Sequence, residues 1–168
     1  MKRAEYWIEK LELKPHPEGG FYKEDYRSPE LISKERLPAR FAEARSVSTS
    51  IYFLLRSQDI STFHRIKSDE LWHYHAGSSL SIYVIDKYKV SVHVLGADPD
   101  KGESLHVVIP ANCWFGAKVN EADSYVLSGC TVAPGFDFAD FELAKRSDLL
   151  STYPQQESII HLLTREQD

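Results

Sequence analysis

A succession of short β-type runs between residues 47 and 132 is the feature that most constrains how this chain folds. The runs lie at 48–55, 62–66, 70–75, 80–86, 89–95, 105–109, 114–119 and 125–132, and they are rich in β-branched and aromatic residues. Turn-forming residues at 76–78, 98–102 and 110–112 separate several of them. Many short strands at close spacing, with turns between them, predict an all-β sandwich or barrel.

Helical patterns flank this β region on both sides. Residues 2–12 predict a short amphipathic helix, and residues 147–150 and 154–163 predict short helices near the other end. Residues 21–27 and 136–143 alternate like strands, while 28–45 predict a surface excursion. No linker or low-complexity tract divides the 168 residues, so we expect a single domain over 1–168 with its β core at about 20–145.

Charge and cysteine content narrow the classes of function. A net charge of −5 disfavours binding to nucleic acid or to anionic membranes, because both require a basic surface. No apolar run approaches the roughly 20 residues of a membrane span, and the first residues lack the apolar core of a signal peptide. Cys113 and Cys130 are too few for a disulfide framework. We therefore expect a cytoplasmic protein whose partner is a small molecule.

One stretch, residues 63–77, is denser than any other in groups that bind metals or move protons. Its candidate residues are His64, Lys67, Glu70, Trp72, His73, Tyr74 and His75. Strand alternation places His73 and His75 on the face opposite Glu70, unless a bulge intervenes. The stretch therefore predicts a polar site whose members divide between two faces of a strand.

The same stretch resembles the first motif of the cupin superfamily, in which a Glu follows a His and a Gly lies seven positions beyond the Glu. His64, Glu70 and Gly77 stand at these positions, and residues 102–115 look like a degraded second motif. Residues 15–20, 48–55, 68–77 and 129–136 resemble more closely the Cupin 5 group, small cupins long catalogued as a domain of unknown function. The resemblance implies an all-β, cupin-type double-stranded jelly-roll β-barrel with short N- and C-terminal helices, related in fold to dTDP-sugar 3,5-epimerases. It also implies a homodimer.

The metal positions of the cupin motifs are only partly kept. Thr62 stands where the first His is expected, and Phe115 stands where the His of the second motif is expected. A divalent metal needs several converging imidazole or carboxylate donors. His64 and Glu70 are left to supply two donors and either His75 or His73 a third, so the cofactor stays open.

The resemblance to the sugar epimerases implies that His64 is a base that removes a proton beside a carbonyl group. A histidine paired with a carboxylate suits this task near neutral pH, and we expect Glu70 to orient it. Our leading hypothesis is an isomerase or epimerase acting on a carbohydrate-like or nucleotide-linked substrate. A non-catalytic sugar- or nucleotide-binding module and a metal-dependent oxygenase are the alternatives.

Further side chains are predicted to contact the ligand, because such sites combine apolar walls with a few placed polar groups. They are Tyr52, Lys67, Trp72, Tyr74, His75, Trp114 and Phe136. For the aromatic members, a place in the hydrophobic core is the alternative. Residues 15–20 predict a turn, and access of His16 and Glu18 to the mouth of the site stays open. Cys130 predicts a buried apolar side chain rather than a nucleophile.

Overall fold

Antiparallel β-strands dominate the computed structural model, which describes residues 2–87 and 89–165. In chain order the elements are α1 (Ala4–Lys10), β1 (Lys14–Pro15), β2 (Phe21–Arg27), β3 (Leu31–Ile32), β4 (Arg45–Ser46), β5 (Thr49–Arg56), β6 (Ser61–Arg65), β7 (Asp69–Gly77), β8 (Leu80–Asp86), β9 (Lys89–Leu95), β10 (His106–Ile109), β11 (Trp114–Val119), β12 (Tyr125–Ala133), β13 (Glu142–Leu143), α2 (Arg146–Thr152) and α3 (Glu157–Leu162). Short 3₁₀ turns lie at Lys34–Arg36, Pro99–Lys101, Phe138–Asp140 and Pro154–Gln156. The predicted strands between 48 and 132, the strand at 21–27 and the flanking helices are confirmed.

Two antiparallel sheets form the body of the fold. One has the strand order β1-β2-β5-β12-β7-β10, and the other has the order β13-β6-β11-β8-β9. A small ladder between β3 and β4 interrupts the predicted surface excursion. Of the helices in the described part of the chain, none is both long and apolar enough to span a bilayer.

The main hydrophobic core lies between the inner faces of the two sheets. Phe53 and Trp72 from the six-stranded sheet meet Ile82 and Phe115 from the five-stranded sheet, and all of them are almost fully buried. The outer faces are covered as well. Helix α1 packs over Leu54 of β5, and α2 and α3 pack over the outer face of the five-stranded sheet. Alternate residues of β5 therefore face two different cores, as its two bulky faces predict.

The sheets do not close into the expected barrel. In the described residues the edge strands β9 and β10 share no ladder, and an isolated bridge between Leu95 and Ser104 is the nearest approach to one. The expected barrel is thus observed as a sandwich of two sheets, whose inner faces bury side chains without edge-to-edge pairing.

The strand predicted at 136–143 is also wrong. Residues 136–141 form a loop with a 3₁₀ turn, and only Glu142–Leu143 pairs with β6. The aromatic alternation has another cause, because the rings of Phe136, Phe138 and Phe141 gather in one cluster. The Asp137 side chain accepts a hydrogen bond of 2.8 Å from the Ala139 amide and holds the turn.

Strand β7 carries the central stretch of the sequence and ends at Gly77. Glu70 and Trp72 face the interior, whereas His73 and His75 lie on the outer face, as alternation predicts. A register shift against β12 occurs at His75. Gly77 has a φ of 104°, and a Cβ there would lie 2.0 Å from the Tyr125 carbonyl oxygen. Glycine is required where β7 turns away beside β12.

Candidate active site

A cavity of about 420 Å³ lies between the inner faces of the two sheets, closed on one side by the 136–141 loop. Its volume falls within the range of about 300–1,000 Å³ that is usual for small-molecule pockets. It is lined by His16, Glu18, Tyr22, Glu24, Arg27, Thr49, Ile51, Phe53, His64, Ile66, Glu70, Trp72, Cys130, Val132, Phe136, Asp137, Phe138 and Phe141. The structure therefore brings His64, Glu70, Trp72 and Phe136 together from the predicted site.

A tight turn before β2 carries His16 and Glu18 into the cavity. Thr62 of β6 donates to the Glu18 carbonyl oxygen from both its amide, at 2.9 Å, and its hydroxyl, at 2.7 Å. Gly19 has a φ of 117°, and a Cβ there would lie 2.0 Å from the Ile60 carbonyl oxygen. Only glycine lets the turn approach this closely. The close approach of this turn to β6 therefore places His16 and Glu18 in the cavity, a point that the sequence left open.

His64 is engaged at both ring nitrogens. Its Nδ1 lies 2.8 Å from the Thr62 carbonyl oxygen, and because a carbonyl can only accept, Nδ1 carries a proton. Its Nε2 lies 3.1 Å from Glu18 Oε2. Burial lowers the pKa of His64 to about 4, although the Thr62 hydrogen bond opposes the change. His64 is therefore neutral near pH 7, and Nε2 presents a lone pair to Glu18.

The contact between Glu18 and His64 requires one proton between the two groups. Burial raises the pKa of its carboxyl group, while the nearby His16 and a hydrogen bond from Ser61 act in the other direction. The Ser61 hydroxyl donates to Glu18 Oε1 at 2.7 Å, which leaves Oε2 for His64. A carboxylate facing a nitrogen lone pair at 3.1 Å would be repelled, whereas a carboxylic acid donates to it. Glu18 and His64 therefore share one proton.

His16 extends this polar group toward the aromatic wall. Its Nδ1 accepts a hydrogen bond of 3.2 Å from the Glu18 amide, so the neutral ring carries its proton on Nε2. Burial lowers the pKa of His16, with Glu18 raising it and His64 lowering it further. The ring contacts Tyr22 edge to face, at 4.5 Å between centroids. His16 thus adds a neutral donor beside the Glu18–His64 pair.

Glu70 lies in the same cavity but not as the hydrogen-bonded partner of His64. Burial and the nearby Glu18 raise the pKa of the Glu70 carboxyl to about 8, while contacts with Cys130 and Trp72 hold it lower than burial alone would. The contact with the Trp72 indole does not have the geometry of a hydrogen bond, since Trp72 Nε1 is buried without a partner among the described residues. Glu70 is therefore mainly a carboxylic acid at pH 7.

The 136–141 loop supplies an aromatic wall that is anchored from outside the cavity. Asp140 accepts two hydrogen bonds from Arg45, at 2.6 and 2.7 Å, and both side chains are almost fully buried. Lys67 Nζ lies 3.3 Å from the same carboxylate. At the mouth, the Arg27 guanidinium donates to both carboxylate oxygens of Glu24, at 2.9 and 2.7 Å. The phenylalanine rings of the wall thus line the cavity, while Asp140 fixes the loop to the surrounding structure.

The other predicted ligand-binding residues, Tyr52, Lys67, Tyr74, His75 and Trp114, do not line this cavity. Tyr52 and His75 lie on the outer face of the six-stranded sheet, with 6.0 Å between ring centroids. Tyr74 packs against the hydrophobic core between the sheets. Trp114 packs with the core under the C-terminal helices. Lys67 forms its ion pair with the carboxylate that anchors the loop.

The donor set does not fit a cupin metal centre. His75 is on the opposite face of β7 from Glu70, and both nitrogens of His64 are already engaged by Thr62 and Glu18. Within residues 2–87 and 89–165 no three His, Cys, Asp or Glu side chains are arranged to hold a metal ion. The trio His64, Glu70 and His75 is therefore not a metal site in this structure.

Sequence reasoning left the access of Glu18 to the site open and gave this residue no role there. It lies on a turn, where strand alternation makes no statement about side-chain direction. The signal was present in the two glycines that follow it, because a Gly-Gly pair often marks a close approach of backbones. A carboxylate placed directly before such an approach is a candidate for burial.

Apolar walls with a few buried acidic and imidazole groups are the usual lining of small-molecule pockets. Residues 5–144 match the family described as Cupin superfamily (DUF985), and the chain belongs to it. The uncharacterized protein YML079W of Saccharomyces cerevisiae is 30% identical over 153 residues, which cover 85% of this chain and 76% of that protein.

Solved structures show the same relationship. Protein SO0799 from Shewanella oneidensis is 40% identical with a TM-score of 0.89, covering 98% of this chain and 99% of that one. A hypothetical protein from Leishmania major is 36% identical with a TM-score of 0.89, covering 98% and 100%. Oxalate decarboxylase from Bacillus subtilis, at 14% identity and a TM-score of 0.54 over 89% of this chain and 36% of that one, shares the fold alone.

Proposed function

We propose that this protein is an isomerase or epimerase that moves a proton within a small carbohydrate-like or nucleotide-linked molecule. One observation carries the proposal: a carboxyl group with its pKa raised to about 8 shares a cavity with a histidine whose pKa is lowered to about 4. Near pH 7 Glu70 has a proton to give and His64 has a lone pair to accept one. Displacement of two pKa values in opposite directions is a guide to acid and base assignments.

In the proposed step, the ligand displaces the Glu18 carboxyl group from His64 Nε2, a C–H bond beside the ligand's carbonyl breaks, and its proton passes to Nε2. The bonding pair forms the C=C bond of an enol, and the carbonyl π pair takes the proton of Glu70 onto oxygen. When the neighbouring carbon carries a hydroxyl group, the intermediate is an enediol, and return of the first proton to the former carbonyl carbon gives an isomer, with Glu70 recovering its proton from the hydroxyl whose carbon becomes the new carbonyl. For an epimer, the opposite face of the same carbon takes a proton from water, His64 releases its proton to water, and Glu70 recovers its proton from the enol hydroxyl, so in both cases the enzyme ends unchanged.

Glu18 is the positioning residue for the base in this scheme. Burial raises the pKa of Glu18, and its carboxyl group holds Nε2 of His64 at 3.1 Å until the ligand takes that position. The Thr62 carbonyl fixes the tautomer from the other side, at Nδ1. Glu18 thereby takes the role that the sequence suggested for Glu70.

We also propose a jelly-roll topology and a homodimeric assembly for this protein. The two sheets have an order consistent with a double-stranded jelly roll formed by one domain over residues 1–168. A homodimer is proposed because edge strands β9 and β10 leave backbone groups and the side chains of Val92 and Val108 exposed. Neither feature enters the chemistry of the cavity.

A non-catalytic binding module is the second candidate. The buried indole N–H of Trp72, which has no partner among the described residues, favours a bound acceptor whether or not chemistry follows. Such a module would be stabilised thermally by its ligand without exchanging any ligand proton.

Hydrogen exchange in D₂O tests the proposal. Thermal-shift screening of sugars, sugar phosphates and nucleotide sugars supplies ligands, and ¹H NMR then follows loss of the C–H signal beside the carbonyl. We expect wild-type protein to exchange that proton and Glu70→Gln and His64→Asn to slow exchange by about 100-fold or more. His93→Asn on exposed β9 is the control and should exchange normally. Undiminished exchange by the two cavity variants would overturn the assignment.

A further inference from the structure

The indole N–H of Trp72 is a buried donor with no acceptor. Trp72 is 1% exposed and lines the cavity, and its Nε1 makes no hydrogen bond to any described residue. A donor left in this condition costs free energy, so native structures rarely keep one unless something else satisfies it. A ligand atom in the cavity is the partner that the position offers.

The neighbour of this donor is the carboxyl group of Glu70. Glu70 and Trp72 are two positions apart on β7 and point to the same face of the sheet. Their side chains are close enough to interact but do not reach hydrogen-bond geometry with each other.

The cavity is unsuited to an anion. Arg27 is the one Lys or Arg among its described lining residues, and its guanidinium is engaged by Glu24 and by the Phe136 carbonyl oxygen at 2.9 Å. Glu24 and Asp137 add negative charge on the same lining. The remaining surface is largely aromatic and aliphatic. A phosphate or carboxylate would lose its hydration there without gaining a free cation.

We propose that Trp72 Nε1 and the Glu70 carboxyl group together bind the carbonyl oxygen of an uncharged ligand, whose body lies against the aromatic wall of the cavity. Trp72 is then a catalytic residue, because its donor touches the oxygen on which charge develops as the C–H bond breaks. The inference rests on the proposed function for that second statement. The binding of an uncharged carbonyl compound does not depend on turnover. For a nucleotide-linked substrate, the phosphates would remain outside the cavity.

Three probes of the same ring size separate the possibilities: acetophenone, benzoate and toluene. ¹⁵N–¹H spectra resolve the indole groups of the three tryptophans, and the signal lost in Trp72→Phe assigns Trp72. In wild-type protein we expect acetophenone to move the Trp72 indole proton downfield relative to toluene, with benzoate binding more weakly than either. The carbonyl stretch of bound acetophenone should move to lower frequency.

Variants then locate the effect. Trp72→Phe should bind acetophenone about 10-fold more weakly while toluene binding changes little, since one hydrogen bond is lost and the aromatic wall is kept. Trp114→Phe, outside the cavity, is the matched control and should leave both affinities unchanged. An indole shift that is the same with acetophenone and toluene, or benzoate as the tightest ligand, would overturn the inference. If the protein exchanges the ligand proton normally in D₂O, the proposed function stands even when either of these two results overturns the binding inference. If acetophenone shifts the indole signal but no ligand proton exchanges, the binding inference stands and the proposed function fails.

Discussion

Replacing Glu70 with Gln should make the protein more stable, and by an amount that grows with pH. The unfolded carboxyl has its ordinary pKa of 4.5, whereas the folded pKa is raised to about 8, chiefly by burial. Between these values the folded state binds more protons than the unfolded state, so wild-type stability falls as pH rises through this window. Glutamine has no proton to lose and is free of this effect.

The magnitude follows from the two pKa values. Holding the Glu70 carboxyl in the folded protein costs about 1 kcal/mol at pH 5 and about 4 kcal/mol at pH 8, at about 1.4 kcal/mol for each pKa unit. The stability difference between Glu70→Gln and wild type should therefore increase by about 3 to 4 kcal/mol over that range. Any difference in how the amide fits the site contributes equally at every pH and leaves this increase unchanged.

Urea unfolding of both proteins at half-unit steps from pH 5 to pH 8 measures this difference directly. Glu9→Gln is the matched control, because the Glu9 side chain is 80% exposed and changes its surroundings little on unfolding. Its difference from wild type should stay flat. A flat difference for Glu70→Gln as well would refute the reasoning, since it would mean that burial does not hold a proton on this carboxyl group.

Three further perturbations test other parts of the structure. Asp140→Asn should lower the free energy of unfolding in urea by about 3 kcal/mol, because it leaves the buried Arg45 without its charge partner. Glu142→Gln, in an exposed ion pair with Arg65, should lower it by less than about 1 kcal/mol. Equal losses for the two variants would contradict this. Gly77→Ala should destabilise the protein strongly, because the new Cβ would lie 2.0 Å from the Tyr125 carbonyl oxygen. Gly102 also has a positive φ but has nothing within 4 Å of its Cβ position, so Gly102→Ala should cost only the backbone strain of about 1 kcal/mol. Similar Tm values for the two variants would contradict this. The rate of ligand proton exchange should fall above pH of about 8, where Glu70 loses its proton, and below about 4, where His64 gains one; Glu70→Gln should show no alkaline limb.

The strand positions, and the division of the β7 side chains between its two faces, could be predicted from the sequence because both depend on local rules. Alternation along β7 separated Glu70 and Trp72 from His73 and His75, and the turn residues placed the strand ends. The same alternation rule gave a wrong prediction for residues 136–143. Its alternating phenylalanines satisfy a ring cluster around a turn, not the pleat of a strand, and no local pattern distinguishes the two.

The partner of His64 could not be found by local rules at all. Glu18 lies 46 positions away in the numbering and reaches the histidine only because two glycines let its turn approach β6. The outward positions of Tyr52 and Trp114 were equally beyond prediction, because their strands are covered on both faces and both faces carry large side chains. Which face meets the cavity is decided by how the sheets stack.

The central claim is that Glu70 is a carboxylic acid at neutral pH, poised to give its proton in the cavity. Carbon-13 NMR of protein labelled at the glutamate carboxyl carbon tests it most directly, with the signal absent from Glu70→Gln assigning the residue. We predict that the Glu70 carboxyl titrates with a pKa near 8. Titration near the ordinary value of 4.5 would contradict the claim and the acid role with it.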